Sequence, residues 1–251
     1  MELRVATFNI RNSSADDGND SWPLRREATV AAVAALDAEV VGLQEVLPDQ
    51  LAYLREALPA YDVVGAGRDD GDATGEHASV LVRRDAWRIE SHETRWLSLE
   101  PERPGSVGWD AHLTRIATLA RLRRRESGRA VGIANTHYDH AGETARIESS
   151  RLLGRWLAAE PGLPWIILGD LNATPESEPL RALTSEGWRQ TLPADAGGTE
   201  HAFSGAEDGD RIDHILIGKG LTCRGARIAC ERFEGRLPSD HWPVVADLVL
   251  T

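Results

Sequence analysis

Acidic, amide and imidazole side chains recur in this sequence at one kind of place, the end of an apolar run just before a loop. Asn9 ends the first such run, and Glu45 follows the apolar run that begins at Val40. Four further pairs sit at comparable points of later runs: His137 and Asp139, Asp170 and Asn172, Asp213 and His214, and Asp240 and His241. A single residue of this kind is commonly a turn or capping residue. Six coincidences are hard to ascribe to turns alone, so we expect these groups to meet at one rim of the fold.

The side-chain types indicate which chemistry such a rim would perform. Five of the residues offer oxygen ligands, which suit Mg²⁺, Mn²⁺ or Ca²⁺ rather than zinc: Asn9, Glu45, Asp170, Asn172 and Asp240. Two nearby histidines can transfer protons or bind phosphate if carboxylates fix their tautomers. A divalent cation would neutralise charge on a phosphoryl group, and an aspartate would orient or deprotonate a water. The set therefore predicts attack of water on phosphorus, with Mg²⁺ as the cofactor and Mn²⁺ as a substitute.

Short strand-like runs with a few helices between them must position these groups. The apolar periodicity predicts helices over 24–36, 49–58 and 142–160. It predicts strands over 3–10, 40–44, 78–82, 87–97, 115–123, 130–136, 164–168, 211–217, 221–230 and 244–250. No low-complexity linker and no internal repeat divides the series. We therefore predict one domain over residues 1–251, a β-sandwich with helices outside the sheets.

Composition sets the outer limits of the functional interpretation. The 251 residues carry a net charge of −12, with a single lysine, Lys219. This acidic balance argues against broad electrostatic binding of nucleic acid or an anionic membrane. The argument is weak, because one metal site can reverse the sign of the local field. No apolar run is long enough to span a bilayer, and no signal segment is apparent. The two cysteines cannot form a disulfide framework, so the expected location is the cytoplasm. No protein partner is evident.

Six short motifs occur in the chain order of the endonuclease/exonuclease/phosphatase superfamily, which the sequence resembles from residue 7 to residue 245. They are Thr7-Phe8-Asn9-Ile10, Gln44-Glu45-Val46, Asn135-Thr136-His137, Gly169-Asp170-Leu171-Asn172-Ala173, Arg211-Ile212-Asp213-His214 and Ser239-Asp240-His241-Trp242-Pro243. The resemblance implies the deoxyribonuclease I-like fold. This is an α+β, four-layer α/β/β/α sandwich of two packed mixed sheets flanked by helices.

The resemblance also implies roles for the motif residues. Glu45 would be the principal metal ligand, with Asn9 and Asp240 nearby. Asp170 would orient or activate the water, and Asn172 would steady that water or the developing phosphorane. For the remaining groups it implies that His241 pairs with Asp213, that Glu76 orients a phosphate-binding His137, and that Arg115 reaches a phosphate oxygen. His214 departs from the family pattern, which often has an aromatic residue there.

A second set of motifs resembles a bacterial subgroup of this superfamily whose substrates are unassigned. It comprises Asp17-Gly18-Asn19, Trp22, Arg25-Arg26, Gly75-Glu76, Trp96-Leu97-Ser98, Pro104-Gly105-Ser106, Gly108-Trp109-Asp110-Ala111 and Arg115-Ile116-Ala117. Trp22 and Trp109 are candidates for an aromatic pocket wall, and Asp139 for a further substrate contact. The other histidines, His77, His92, His112 and His201, are interpreted as surface residues.

The leading hypothesis is a metal-dependent phosphoesterase acting on a small phosphorylated molecule: a sugar, a lipid headgroup or a nucleotide derivative. A nuclease acting on DNA or RNA is the first alternative, but it should show a basic strip or stacking aromatics beyond the metal centre. A non-catalytic binding module should have lost Glu45, Asp170, His137 or His241, and all four are present. A glycosidase with paired carboxylates gives no reason for Asn9, Asn172 and both histidines.

Overall fold

Two six-stranded sheets form the centre of the computed structural model, which describes residues 1–251. The first sheet has the order β11-β12-β1-β2-β4-β3, and the second has the order β5-β6-β7-β8-β10-β9. In chain order the strands are β1 (Glu2–Asn9), β2 (Val40–Val46), β3 (Tyr61–Val64), β4 (His77–Arg83), β5 (Trp87–Trp96), β6 (Ile116–Arg124), β7 (Ala130–His137), β8 (Trp165–Asp170), β9 (Arg189–Gln190), β10 (Asp213–Ile217), β11 (Leu221–Ile228) and β12 (Val244–Leu250). The helices are α1 (Trp22–Ala35), α2 (Pro48–Ala57), α3 (Glu143–Ala158) and α4 (Glu178–Ser185).

Three apolar layers follow from the alternation of side chains along the strands. Leu3 and Val5 of β1 point into a core between the two sheets, while Ala6 and Phe8 point to the outer face. On that outer face α1 and α2 cover the first sheet, and α3 and α4 cover the outer face of the second sheet. This is the predicted four-layer sandwich, and the fold prediction is confirmed. None of the helices is long and apolar enough to cross a membrane.

Each sheet contains one pair of parallel strands, and this arrangement decides where the polar strand ends lie. β1 is parallel to β2 in the first sheet, and β7 is parallel to β8 in the second. All other pairings are antiparallel. The carboxyl ends of two parallel strands meet at the same edge of a sheet. The two edges together form the rim at which the motif residues collect.

A buried amide pair joins the two sheets just below this rim. The Gln44 Nε2 group donates to Asn135 Oδ1 at 2.6 Å, and Asn135 Nδ2 donates to the carbonyls of Leu43 and Ser79 at 2.9 and 2.8 Å. Gly42 lies against this pair, since a Cβ there would come within 2.5 Å of Asn135 Oδ1. The pair fixes the spacing of the sheets where the site is built.

Four elements were absent from the sequence prediction: β3, β9, α4 and a short 3-10 helix over Gly18–Asp20. The two strands have four and two residues, too few for an alternating pattern to be recognised. Helix α4 has eight residues and begins beside Pro179 in a stretch that reads as a loop. The first strand, β1, pairs with the last strand, β12, across one continuous sheet. On that ground we propose that residues 1–251 form a single domain.

Candidate active site

The strand ends bring the predicted site residues together from both sheets. Asn9 and Glu45 lie at the ends of β1 and β2, and His137 and Asp170 lie at the ends of β7 and β8. Asp213 begins β10, which runs antiparallel to β8, so that Asp213 stands opposite Asp170. Asp240 and His241 precede β12 and reach the rim from the first sheet. The Ser239 Oγ donates to the Asn9 carbonyl at 2.7 Å, which attaches this segment to β1.

Glu45 is turned into the rim by an irregularity in β2. The pairing register of β2 with β4 shifts between Leu43 and Val46, and Glu45 takes a left-handed backbone conformation with φ of 61°. Its Oε1 accepts from Asn9 Nδ2 at 3.0 Å, and its Oε2 accepts from the backbone and side-chain nitrogens of Asn12 at 3.0 and 2.8 Å. Burial alone would raise the pKa of Glu45, but the neighbouring His137 and, after it, these hydrogen bonds lower the pKa below its ordinary value. The residue is a carboxylate aimed into the site.

Asn9 connects the two sheets at the rim. Its Nδ2 donates both to Glu45 and to Asp170 Oδ2, each at 3.0 Å, while its Oδ1 accepts from the Arg11 backbone at 3.0 Å. The structure therefore brings Asn9 to the predicted cation ligands, where its amide nitrogen fixes the positions of the two carboxylates.

Asp170 is buried between charged neighbours. Its Oδ2 lies 3.5 Å from His137 Nε2, and its Oδ1 accepts from the Asn172 backbone at 2.9 Å. Burial and the charge of Asp213 raise the pKa of Asp170. Asn172, with φ of 45°, is fixed in turn because its Nδ2 donates to the Tyr138 carbonyl at 3.0 Å.

His241 and Asp213 form a close pair, as the resemblance implied. The distance between His241 Nδ1 and Asp213 Oδ2 is 2.8 Å, and both residues are buried. Burial opposes a charged imidazole, but Asp213, Asp170 and Asp240 outweigh it and raise the pKa of His241 well above its ordinary value. His137 behaves oppositely, because burial and the charge of Arg115 lower its pKa. The rim thus holds one imidazolium and one neutral imidazole.

The donor set fits a divalent cation. Asp170, Asp213 and His241 have potential ligand atoms within 4.8 Å of one another, but a charged His241 has no lone pair to offer a metal. Asp213 Oδ1 is buried without a hydrogen-bond partner. Burial, together with the charge of Glu45, raises the pKa of Asp240, and the charge of His241 opposes this shift. Because Asp213 is committed to His241, Glu45 and Asp240 are the carboxylates best placed to hold a hard cation.

Glu76 does not orient His137, contrary to the prediction. Its carboxylate forms ion pairs with Arg68 and, at 3.9 Å, with Arg115, and His137 Nδ1 has no hydrogen-bond partner. Burial raises the pKa of Glu76. A carboxylate flanked by two guanidinium groups positions those cations, and it leaves the orientation of His137 to Asp170.

The predicted substrate contacts divide into three cases. Arg115 is buried at the rim, 3.6 Å from Asp139. Asp139 itself is 1% exposed, and its carboxylate oxygens accept hydrogen bonds from the backbone nitrogens of Leu113, Ala141 and Gly142. It therefore supports the site without facing a ligand. Trp22 packs in the apolar layer with only 6% exposure, whereas Trp109 is half-buried with φ of 50°. Of the two tryptophans, only Trp109 remains available to a substrate.

Several residues at the rim were missed or misjudged from the sequence. Arg68 and Asn12 were not recognised as site residues, although Arg68 is the only basic residue in the Gly/Asp-rich stretch 65–75, which was a usable signal. Arg25 is buried and donates to the carbonyls of residues 10, 11, 20 and 238, so it fastens the loop after β1 to the segment before Asp240. His77 and His201, interpreted as surface residues, are buried with 3% and 5% exposure.

We expect the buried His214 to make the protein sensitive to acid. Burial lowers the pKa of His214 to about 4, against about 6.5 in an unfolded chain. Between these values the unfolded state binds the proton and the folded state does not. Stability is therefore lost as the pH falls from 6.5 to 4, by about 3 kcal/mol from this group.

Urea unfolding at pH 7 and pH 4.5 measures this loss. His214→Gln keeps a donor for the Ala173 carbonyl, which lies 2.8 Å from His214 Nε2, but it does not titrate. The variant should lose less stability than the wild type over the same pH interval. Equal losses in the two proteins would show that His214 is not the source.

Comparisons with known proteins agree with this geometry. The sequence profile described as the Endonuclease/Exonuclease/phosphatase family matches residues 6–241. The crystal structure of an endonuclease/exonuclease/phosphatase from Bacteroides vulgatus is 35% identical, covers 100% of both chains and has a TM-score of 0.94. A mannosyl-6-phosphatase of Bacteroides thetaiotaomicron is 32% identical over 98% of this chain and 99% of its own, with a TM-score of 0.93. Nocturnin of Drosophila melanogaster is 25% identical over 205 residues, 72% of this chain, which spans 30% of the length of that relative.

Proposed function

Because the chain belongs to the endonuclease/exonuclease/phosphatase family, whose members are metal-dependent phosphoester hydrolases, we propose that it hydrolyses a small phosphorylated molecule, specifically a sugar phosphate, with Mg²⁺ as its cofactor. One observation carries the proposal. Asn9 holds Glu45 and Asp170 at 3.0 Å each, directly beside the His241–Asp213 pair. This arrangement supports a cation site next to a proton-accepting carboxylate and a cationic imidazole.

Each group has a role in the proposed reaction. Glu45 and Asp240 would hold the metal, and Asn9 would position Glu45 through its Nδ2 group. The metal would supply charge neutralisation at the phosphoryl group when bound. Asp170, with its raised pKa, orients the attacking water and takes up its proton. His241, kept charged by Asp213, and His137 bind phosphoryl oxygens, while Asn172 steadies the water or the developing phosphorane.

Two observations favour a small substrate over a nucleic acid. The mannosyl-6-phosphatase is one of the similar structures, and it matches 98% of this chain at 32% identity. The arginine-rich end of β6, the one stretch resembling a basic strip, is neutralised, since Arg121 pairs with Glu160, Arg123 with Glu90 and Arg124 with Glu39. Six residues of extended chain also separate Arg121 from Arg115, which places this stretch roughly 20 Å from the rim.

Phosphate release from a substrate panel, with and without a chelator, tests the proposal. The panel contains mannose 6-phosphate, glucose 6-phosphate, bis(p-nitrophenyl) phosphate, oligo(A) and plasmid DNA. We expect hydrolysis of the sugar phosphates with Mg²⁺, loss of at least about 100-fold in rate with EDTA, and recovery when Mg²⁺ or Mn²⁺ is added back.

The same panel discriminates the alternatives. Cleavage of oligo(A) or plasmid DNA faster than the sugar phosphates, lost in Asp170→Ala, would establish a nuclease instead. Full activity in EDTA would contradict the metal dependence. No turnover of any substrate with any divalent metal would favour the non-catalytic binding module.

A further inference from the structure

An open groove lies at the end of the second sheet opposite the rim. Trp165 begins β8 and Asp170 ends it, which places the groove roughly 17 Å from Asp170 along an extended strand. The groove lies between the last turn of α3, the turn after α4 and the turn that joins β10 to β11. Its volume of about 690 Å³ is within the range of about 300–1,000 Å³ that is typical of small-molecule sites. None of the proposed catalytic or metal-binding residues lines it.

Two tryptophans line the groove, and glycines leave room beside them. Trp165 rests on Gly132 of the neighbouring strand, where a Cβ would come within 2.3 Å of the indole ring. Trp188 is half-buried and follows Gly187, whose left-handed backbone conformation, with φ of 95°, lies just after the end of α4. Gly218 approaches the second indole closely, since a Cβ there would lie 3.3 Å from the Trp188 ring. The glycines therefore leave space beside both indoles.

Trp165 is a buried hydrogen-bond donor without an acceptor. It is 5% exposed, and its Nε1 is buried with no hydrogen-bond partner. A buried indole N–H usually has an acceptor. Three other buried tryptophans of this chain donate to one, namely Trp87, Trp96 and Trp242. The acceptor that Trp165 lacks is one that a molecule bound in the groove can supply.

Polar side chains of both kinds lie at the edge of the groove. Arg155 and Lys219, the only lysine of the chain, offer donors, and Glu186 offers acceptors. Glu160 also lines the groove, but it pairs with Arg121. An anion would meet Glu186, and a cation would meet Arg155 and Lys219. Donors and acceptors side by side favour an uncharged ligand whose groups do both, as hydroxyl groups do.

We propose that this groove is a second ligand site, which binds a pyranose ring of a sugar by packing it against the indoles and hydrogen-bonding it at the polar edge. A pyranose has a face of C–H bonds that packs on an aromatic ring, and its hydroxyl groups both donate and accept. A sugar oxygen accepts from Trp165 Nε1, and Glu186 accepts from a hydroxyl group. Arg155 and Lys219 donate to the remaining oxygens. The site holds a carbohydrate without reacting with it, so the inference goes beyond the proposed function.

The indole N–H signals in a ¹H–¹⁵N spectrum of the full chain test the site directly, because each of the eight tryptophans has one. The probe is methyl α-D-mannopyranoside, and the control is sorbitol, which has hydroxyl groups but no ring. We expect saturable shifts of the Trp165 and Trp188 signals with a Kd on the order of 1 mM. Trp165→Phe and Trp188→Phe assign the two signals. Sorbitol should leave both in place.

Variants of the groove should weaken the binding of the glycoside. Trp188→Ala removes a packing surface and should raise the Kd about tenfold. Trp156→Ala is the matched control and should leave the Kd unchanged, because Trp156 is a partly buried tryptophan of the same apolar layer that lies outside the groove. Glu186→Ala removes an exposed acceptor and should raise the Kd about threefold with no change in Tm. Trp188→Ala should leave phosphoester hydrolysis unchanged, because the groove is separate from the rim.

Several results would overturn the assignment. They are shifts confined to other tryptophans, equal shifts with sorbitol, and a Kd that neither Trp188→Ala nor Glu186→Ala changes. Saturable shifts with benzoate but none with the glycoside would show that the groove binds a planar anion instead of a sugar. Absence of hydrolysis across the substrate panel would bear on the rim alone, since binding in the groove needs neither metal nor turnover.

Discussion

Replacing Asp170 with asparagine is expected to lower kcat for phosphoester hydrolysis by a factor on the order of 10³. The amide keeps the size of the side chain but cannot take up a proton from the attacking water. KM should change little, because Asp170 is proposed to act on the water rather than to bind the substrate. Steady-state kinetics on the best substrate of the panel provides the measurement.

The stability of Asp170→Asn should move in the opposite direction to its activity. Burial and the charge of Asp213 already disfavour a carboxylate at this position, so its removal relieves repulsion. We expect a Tm at pH 7.5 no lower than that of the wild type. Asp62→Asn, at an exposed carboxylate on β3 paired with Arg84, is the control and should leave both quantities unchanged. Activity of Asp170→Asn within tenfold of the wild type would exclude Asp170 as the group that activates water.

Glu45→Gln should produce the second large loss of activity, and this loss should depend on the Mg²⁺ concentration. Both oxygens of Glu45 are held in place by Asn9 and Asn12, so the carboxylate is organised before any cation binds. Loss of its charge should lower kcat/KM roughly 10³-fold at low Mg²⁺. It should also raise the Mg²⁺ concentration needed for half-maximal activity by at least about tenfold. Higher Mg²⁺ should restore part of the rate, which it cannot do for Asp170→Asn.

A calorimetric titration of Mg²⁺ into the wild type and Glu45→Gln checks this point without turnover. Weaker binding in the variant is the expected result. Equal affinities would move the metal to other ligands, of which the Asp170, Asp213 and His241 group is the alternative that the geometry offers.

The rim was predictable from the sequence because its residues terminate apolar runs. Asn9, Glu45, His137 and Asp170 each follow a strand whose pattern is visible, and the positions of such strand ends depend on local periodicity. The left-handed conformation of Glu45 was not predictable, since no glycine or asparagine marks that turn.

The pairing of Arg68 with Glu76 could not be predicted, because it depends on contacts between loops. Arg68 sits in a stretch without periodicity. Its backbone N–H donates to the Glu76 carbonyl at 3.0 Å, its side chain pairs with the Glu76 carboxylate, and Trp96 Nε1 donates to its carbonyl. For the same reason the sequence prediction placed Glu76 against His137, whereas the structure places it against Arg68. His77 and His201 were misjudged because a lone histidine carries no pattern that indicates burial.

The hydrogen bond from Ser239 to the Asn9 carbonyl has a consequence for the order of folding. It joins residues 230 positions apart, and the metal-binding set proposed here draws on both sides of that bond. Contacts of such large sequence separation form late and slow the search for the native state. A ribosome-bound chain that has not yet released the segment around Asp240 would possess most of both sheets but an incomplete rim. Catalytic competence should therefore appear abruptly when the last strand joins its sheet, later than the bulk of the secondary structure.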